Sequence, residues 1–258
     1  MDGSNLHKEA IIAGFKCRFF KELDSTNSYA RENMSDLINV LPAVILADSQ
    51  QEGRGQNENT WDSEPEKNLL LSVVIKPGFS VQEGLFRINY LLTFSIIDTI
   101  KRLFGVEAHL KWPNDVFVND KKVAGVLAET SIQGDKINIL IGGVGININQ
   151  SFDSVGAYKA ISLADVLGKE VDKDLVLKTF LATLKEISEK TAYSSLNFLE
   201  EKSSKILWKR GKEQKFYDKE TGKTILAFPD KFCSDHSLLV RHNGINKKLR
   251  HESFQWIP

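Results

Sequence analysis

Only two cysteines, Cys17 and Cys233, occur in the 258 residues. They lie far apart and fit no metal-ligand spacing. Neither a disulfide framework nor a zinc centre is therefore expected, and a reducing cytoplasm is the expected compartment. The five histidines (His7, His109, His236, His242, His251) show no ligand spacing, which argues against a metal held by protein side chains alone. Net charge is missing too: 34 Lys and Arg balance 34 Asp and Glu. Phosphate backbones are bound by an excess of positive charge on one face, so the balance removes the simplest argument for a nucleic-acid partner. No apolar run reaches the roughly eighteen residues of a membrane span. The N-terminal MDGSNLHKEAIIAG has no signal-like apolar core, so export is not expected. Internal repeats and low-complexity tracts are lacking. What remains is an ordinary globular composition, 41% hydrophobic and 26% charged, in a chain that suits one large domain or a large and a small one.

CRFFKEL (17–23) alternates like a strand. DSTNSYARENMSDL (24–37) reads as a helix entered through capping residues. AVILADS (43–49) and NLLLSVVIKP (68–77) are buried strands. VQEGLFRINYLLTFSIIDTIKRLFG (81–105) is a long helix, apolar around much of its girth and ended by Gly105. AHLKW (108–112), DVFVND (115–120), KKVAGVLAETSI (121–132) and KINILIGGVGININ (136–149) follow, the last three joined by short turns that favour an antiparallel meander. ISLADVLG (161–168) and 172–192 are helical. The second should bury Leu175, Leu177, Phe180, Leu181, Leu184 and Ile187, and helix should continue to about Leu207. From Trp208 onward short alternating runs and turn dipeptides replace the helical period. The expected fold is therefore α+β: a mixed sheet covered by helices in a main domain of residues 1–207, plus a small β-barrel, 208–258, that must dock to be stable.

Four stretches exceed what packing asks for. DSTN (24–27) is one, though it also reads as a helix cap. QQEGRGQNENTW (50–61) lies in a link of about twenty residues between two buried strands, far longer than usual. Arg54 between two glycines can pair with an anion that the backbone approaches closely, and Trp61 can stack on a flat ring. A surface turn with a solvated arginine is the plainer alternative. The loop lacks the third glycine of a dinucleotide fingerprint and the Gly-Lys-Ser/Thr of a P-loop. KWPND (111–115) places Lys111 at a strand end, where it is either a site residue or merely solvated. GGVGIN (142–147) puts three glycines among β-branched residues, which marks close approach of a ligand or another backbone, with a bulge or a tightly packed core strand as the plainer alternative.

In this order and at these spacings, the stretches resemble the catalytic domain of biotin protein ligases (biotin–[acetyl-CoA-carboxylase] ligases). The resemblance runs from about Leu23 to Asn149. It rests on DSTN, Q-x-x-GRG-x(5)-W, KWPND followed by KVAGVLAE (122–129), and GVGININ (143–149). Each motif is weak alone and the ordered set is specific. The tail resembles the family's SH3-like C-terminal domain. The resemblance implies the fold of biotin and lipoate ligases, related to class II aminoacyl-tRNA synthetases. It implies activation of biotin by Mg²⁺-ATP to biotinyl-5′-AMP, then transfer to one lysine of the biotin carboxyl carrier protein of acetyl-CoA carboxylase. It also implies residue roles. Lys111 would touch biotin and the α-phosphate as main electrostatic catalyst. Arg54, Gly53 and Gly55 would close over biotin and phosphates, and Ser25, Thr26, Asn27 and Gln50 would meet the biotin head group. Gly125 would line the biotin slot. Gln56, Trp61, Asn114 and Asn147 would face the nucleotide, and Asp115 would contact magnesium or its water.

One departure stands out. Many relatives carry further basic residues after GRG, where this chain has Gln56, Glu58 and Asn59, leaving fewer charges for pyrophosphate. About twenty residues precede DSTN, too few for the helix-turn-helix of repressor-type relatives, so a ligase without DNA binding is expected. Relatives are monomers or dimerise through sheet edges, which leaves a homodimer open. Two rivals are weighed: a lipoate or octanoate transferase, against which the GRGQ-x(4)-W and KWPND patterns count, and a non-catalytic biotin sensor, against which Lys111 and Arg54 together count. If 50–62 closes over an adenylate to keep water out, its amides exchange quickly without ligand and gain protection with biotinyl-AMP. Equal hydrogen exchange in both states would contradict that closure.

Overall fold

The computed structural model describes residues 6–56, 59–152 and 160–257. Strand β1 (Leu6–Ile12) pairs antiparallel with β2 (Phe15–Leu23). Their turn, Ala13-Gly14, has positive φ at both residues (52° and 91°), which suits a tight hairpin between right-twisted strands. This hairpin was not foreseen, because AIIAGF shows neither clear alternation nor an Asn-Gly or Asp-Gly turn. Helices α1 (Thr26–Glu32) and α2 (Met34–Leu37) connect β2 to β3 (Ala43–Gln50), which runs parallel to it. β4 (Leu69–Ile75), helix α3 (Val81–Phe104), β5 (His109–Lys111), β6 (Asp115–Val118), β7 (Lys121–Gln133) and β8 (Lys136–Ile146) complete one mixed sheet of order β1-β2-β3-β4-β8-β7-β6-β5.

The two faces separate by the two-residue period of extended chain. Val44 and Leu46 of β3, with Leu140 and Val144 of β8, join the large core beneath α3 and α5 (Lys173–Tyr193), which the short α4 (Leu163–Leu167) precedes in the chain. Their neighbours Ala43, Ile45, Ile139 and Ile141 face the other way, into a smaller cluster with Ala30 and Leu37 of α1 and α2. Three expectations need correction. The helix expected over 24–37 breaks at Asn33, whose amide folds back to accept its place as C-cap by donating to the Tyr29 carbonyl at 2.9 Å. Helix does not run unbroken to Leu207: extended Ser194 ends α5, and the Ser195 hydroxyl caps α6 (Leu196–Lys205) by accepting from Phe198 N–H. Leu175 is 48% exposed, and its neighbour Val176 takes the buried position.

The second sheet has order β12-β11-β10-β9-β13, from β9 (Gln214–Asp218), β10 (Lys223–Phe232), β11 (Leu238–His242), β12 (Ile245–Leu249) and β13 (Phe254–Ile257). It shares the large core. Trp208 is buried between Phe117 of β6 and Trp256 of β13, with ring centroids 5.0 and 5.3 Å away, and its Nε1 donates to Asp120 at 2.7 Å. Phe232 packs edge-on to Phe86 of α3. Trp112 Nε1 donates to the His236 carbonyl at 3.0 Å. A small sheet that could not bury enough surface alone is thus stabilised by aromatic burial against the large one.

Two outcomes are expected. Trp208→Ala removes the central ring of this junction and should cost ~3–5 kcal/mol in urea unfolding. Burial first, and then His251, push the His236 pKa down to about 4. The folded protein therefore binds fewer protons here than the unfolded chain, whose histidine titrates near 6.5. Stability should be full above pH 6.5 and fall as pH drops from there towards 4. His236→Asn, an amide that tolerates the local φ of 64°, should flatten that limb of the stability–pH curve.

Candidate functional site

On the face of the sheet that carries α1 lies a cavity of about 610 Å³. The alternation of β8 creates it. Ile139 and Ile141 fill that face under α1, and the next two residues with the same orientation, Gly143 and Gly145, have no side chain. A Cβ at Gly143 would lie 2.6 Å from Asn27 Oδ1, and one at Gly145 2.4 Å from Trp61 Cε2. A Cβ at Gly125, the register partner of Gly145 on β7, would lie 3.1 Å from Trp61 Cζ3. Gly142 faces the opposite side and admits Leu92 of α3. The glycines of GGVGIN are required by close approach of protein side chains on both faces.

α1 and β3 meet the cavity through a hydrogen-bond network. Gln50 Oε1 accepts from Thr26 N–H at 2.8 Å and from Thr26 Oγ1 at 3.2 Å. Ser72 Oγ lies 2.8 Å from Thr26 Oγ1 and 2.5 Å from Asn27 Oδ1. Asn27 Nδ2 donates to the Leu127 carbonyl and to Glu129 Oε2. Ser25 caps α1 by accepting from Ser28 N–H. Thr26, Asn27 and Ser72 are nearly fully buried, so each orientation is fixed by satisfied partners before any ligand arrives.

The other side comes from KWPND and from the C-terminal part of the chain that carries the second sheet. Lys111 is 4% exposed, its ammonium 5.2 Å from the Phe117 ring centre and 5.9 Å from that of Trp208. Burial pushes its pKa down to about 8, with Asp115 opposing and Lys122 reinforcing the shift. Lys122 is more accessible. Its Nζ sits 2.6 Å from Asp115 Oδ1 and 5.3 Å from the Trp61 ring centre. Asn114 Nδ2 donates to the Val126 carbonyl, and Val126 N–H returns a bond to the Asn114 carbonyl at 3.1 Å, clamping the turn to β7. Lys219, His251, Phe254, Gln255 and Trp256, all from the C-terminal segment that forms the second sheet, line the cavity as well.

The structure brings together Ser25, Thr26, Asn27, Gln50, Arg54, Gly55, Gln56, Trp61, Lys111, Asn114, Asp115 and Gly125 around this one cavity. Gly53 and Asn147 do not line it. Gly53 sits behind the loop, where a Cβ would be 2.3 Å from the Trp61 carbonyl oxygen. Asn147 uses its amide to hold the Lys122 and Ile161 carbonyls. Glu58 lies outside the described residues. Sequence reasoning assigned nothing to Lys122, although KVAGVLAE begins with it, and nothing to Glu129, which ends it. It had no signal for the C-terminal residues 219, 251 and 254–256, which reach the cavity only through tertiary packing. Among the described residues no group of three His, Cys, Asp or Glu could hold a metal, and the cavity lining carries two carboxylates, Asp62 and Asp115.

No helix among the described residues is long and apolar enough to cross a membrane. The chain is 29% identical over 141 residues to a bifunctional ligase/repressor of Bacillus subtilis, a match covering 54% of this chain and 43% of that protein. It thus spans less than half the length of this repressor-type relative. It is 26% identical over 190 residues to the biotin–[acetyl-CoA-carboxylase] ligase of Mycobacterium tuberculosis, covering 71% of this chain and 69% of the relative. Its structure superposes on the biotin protein ligase of Aquifex aeolicus in complex with biotin and ATP with a TM-score of 0.77 and 27% identity, over 93% of this chain and 97% of the other. The model of the biotin/lipoate A/B protein ligase family matches residues 19–147, half of the chain, and on that match, with the fold and cavity described, the protein belongs to this family.

Proposed function

We propose that the protein is a biotin protein ligase that works in two steps. An oxygen of the biotin carboxylate attacks the α-phosphorus of ATP, the bond from that phosphorus to the bridging oxygen breaks, and pyrophosphate leaves. The lysine Nζ of a carrier protein then attacks the carbonyl of the mixed anhydride, the acyl–oxygen bond breaks, AMP leaves and the amine loses its proton. One observation carries this reading: a single cavity combines fixed hydrogen-bonding groups, four cationic side chains (Arg54, Lys111, Lys122 and Lys219) and a flat indole. Two anions must meet in the first step, so cations and donors set in place before reaction are what the chemistry asks of the site.

Thr26 and Gln50, held by each other, are the proposed contacts for the polar ring of biotin. Asn27 has both ends of its amide occupied by protein and is better read as the strut that holds them. Trp61, lying across Gly125 and Gly145, presents a face on which adenine can stack. Charge is shared by two lysines. Lys122 reaches the cavity with an ammonium paired to Asp115, placed to stabilise the negative charge that accumulates during attack. Lys111 lies deeper among aromatic rings and adds a field where water is scarce. Asp115 therefore acts first as the partner of Lys122. Magnesium would arrive on the triphosphate and shield its charge. A carrier domain of acetyl-CoA carboxylase is the proposed acceptor, and the cytoplasm the proposed compartment.

The test incubates the protein with biotin, Mg-ATP and a biotin carrier domain and follows carrier mass. A biotin-sized gain is expected, and none with lipoate. Gain with lipoate alone would move the chain to lipoate transfer; biotin binding without transfer would make it a sensor. Lys122→Ala and Lys111→Ala should each lower kcat by ~10²–10³. Wild-type activity that draws on the Lys111 charge should decline as pH rises past about 8, the value to which burial lowers its pKa. In Lys111→Ala that alkaline limb should be absent from the pH–rate profile.

A further inference from the structure

Glu129 lies outside the cavity lining, and none of the roles above uses it. Yet its carboxylate is the meeting point of three donors. Oε1 accepts from Arg31 Nη1 at 3.3 Å and from Arg54 Nη1 at 3.2 Å, and Oε2 accepts from Asn27 Nδ2 at 3.1 Å. Asn27 and Arg31 belong to α1, one helical turn apart. Arg54 belongs to the GRG loop and lines the cavity, and it is bridged across the loop to Thr60. Two guanidinium groups thus share one carboxylate oxygen at the edge of a cavity proposed to take anions.

A guanidinium presents the same planar fork to a carboxylate and to a phosphate. An Nη1–H group engaged by Glu129 is not available to a substrate anion, so the two compete. The geometry also allows the exchange to proceed without stranding a charge. If Arg54 turns to a ligand, Glu129 keeps Arg31 and Asn27 as donors. The side chains of Arg54 and Glu129 are 45% and 26% accessible. A pair so exposed holds its partners by a factor of about 2–5 in an equilibrium constant. That suffices to set a resting position and is small enough for a ligand to overcome.

We propose that Glu129 is a positioning residue that parks Arg54 at the cavity edge in the ligand-free protein, and that a substrate anion, the carboxylate of biotin or a phosphate of ATP, takes Arg54 over from it. The inference rests on the reading of the cavity as a biotin and ATP site. Its consequence has an unusual sign. Because ligand affinity includes the loss of the resting pair, removing the charge of Glu129 strengthens binding of the anion that uses Arg54. A residue that only supports the fold would do the opposite when removed.

The experiment is calorimetric titration of the full chain with biotin, with neutral biotinamide, and with a non-hydrolysable ATP analogue. Glu129→Gln keeps the size of the side chain and an acceptor for Asn27. It is expected to bind the anionic ligand that takes Arg54 about 2–5 times more tightly, with biotinamide unchanged. The gain should vanish on an Arg54→Ala background. Arg31→Gln, which leaves the carboxylate oxygen to Arg54 alone, should weaken the same ligand. Whether biotin or the ATP analogue responds identifies the anion. Glu129→Gln binding every ligand as the wild type does, or more weakly, overturns the role of Glu129 while leaving the ligase reading intact. A wild type that binds neither biotin nor the ATP analogue overturns the ligase reading and this inference with it.

Discussion

The bare backbone of β8 at Gly143 and Gly145 is the constraint on which the site depends. An extended strand sends every second side chain to the same face, so a strand that packs α1 with Ile139 and Ile141 would also fill the space beyond them. Two glycines in that phase stop the packing and leave floor. The indole of Trp61 and the amide of Asn27 then lie directly on the backbone. Any methyl group at either position would meet atoms closer than 3 Å. The cavity is therefore a consequence of omitted side chains on a rigid sheet, and the polar groups around it are held by elements that the rest of the core already fixes.

Most of the framework was legible in the residues. Periods of two and of about 3.6 located the strands and helices, and the turns at Asn119-Asp120 and around Gly134 set the meander of β6, β7 and β8. What failed was local. A helix period does not reveal a break when the breaking residue, Asn33 or Ser194, is merely polar. A hairpin tightened by Ala13-Gly14 carries no strong turn signature. Leu175 and Val176 are both apolar, and only the docking of α5 decides which one is buried.

The site was legible in its motifs but not in its division of labour. DSTN, GRG, KWPND and the glycine run do converge around one cavity. Which member of each motif faces it depends on strand phase and on hydrogen bonds spanning many residues. Asn147 sits at the end of the glycine run and spends its amide on carbonyls instead. Lys122 and Glu129, the two ends of a quoted motif, become noteworthy only when Asp115, Trp61, Arg31 and Arg54 are seen beside them. The contribution of residues 219 and 251–256 has no local signal, since nothing in a β-rich tail says which edge will meet a cavity made by another sheet.

The junction at Trp208 has a further meaning. That ring belongs to the connection between the two sheets, yet it forms part of the aromatic sleeve around Lys111. Dryness, and not a neighbouring charge, is the largest influence on that ammonium. The small sheet, through Trp256 packed on Trp208, thus helps to set how deeply that ammonium is buried. A chain cut before Trp208 could keep every residue of the four motifs and still present a different lysine, wetter and closer to its solution character.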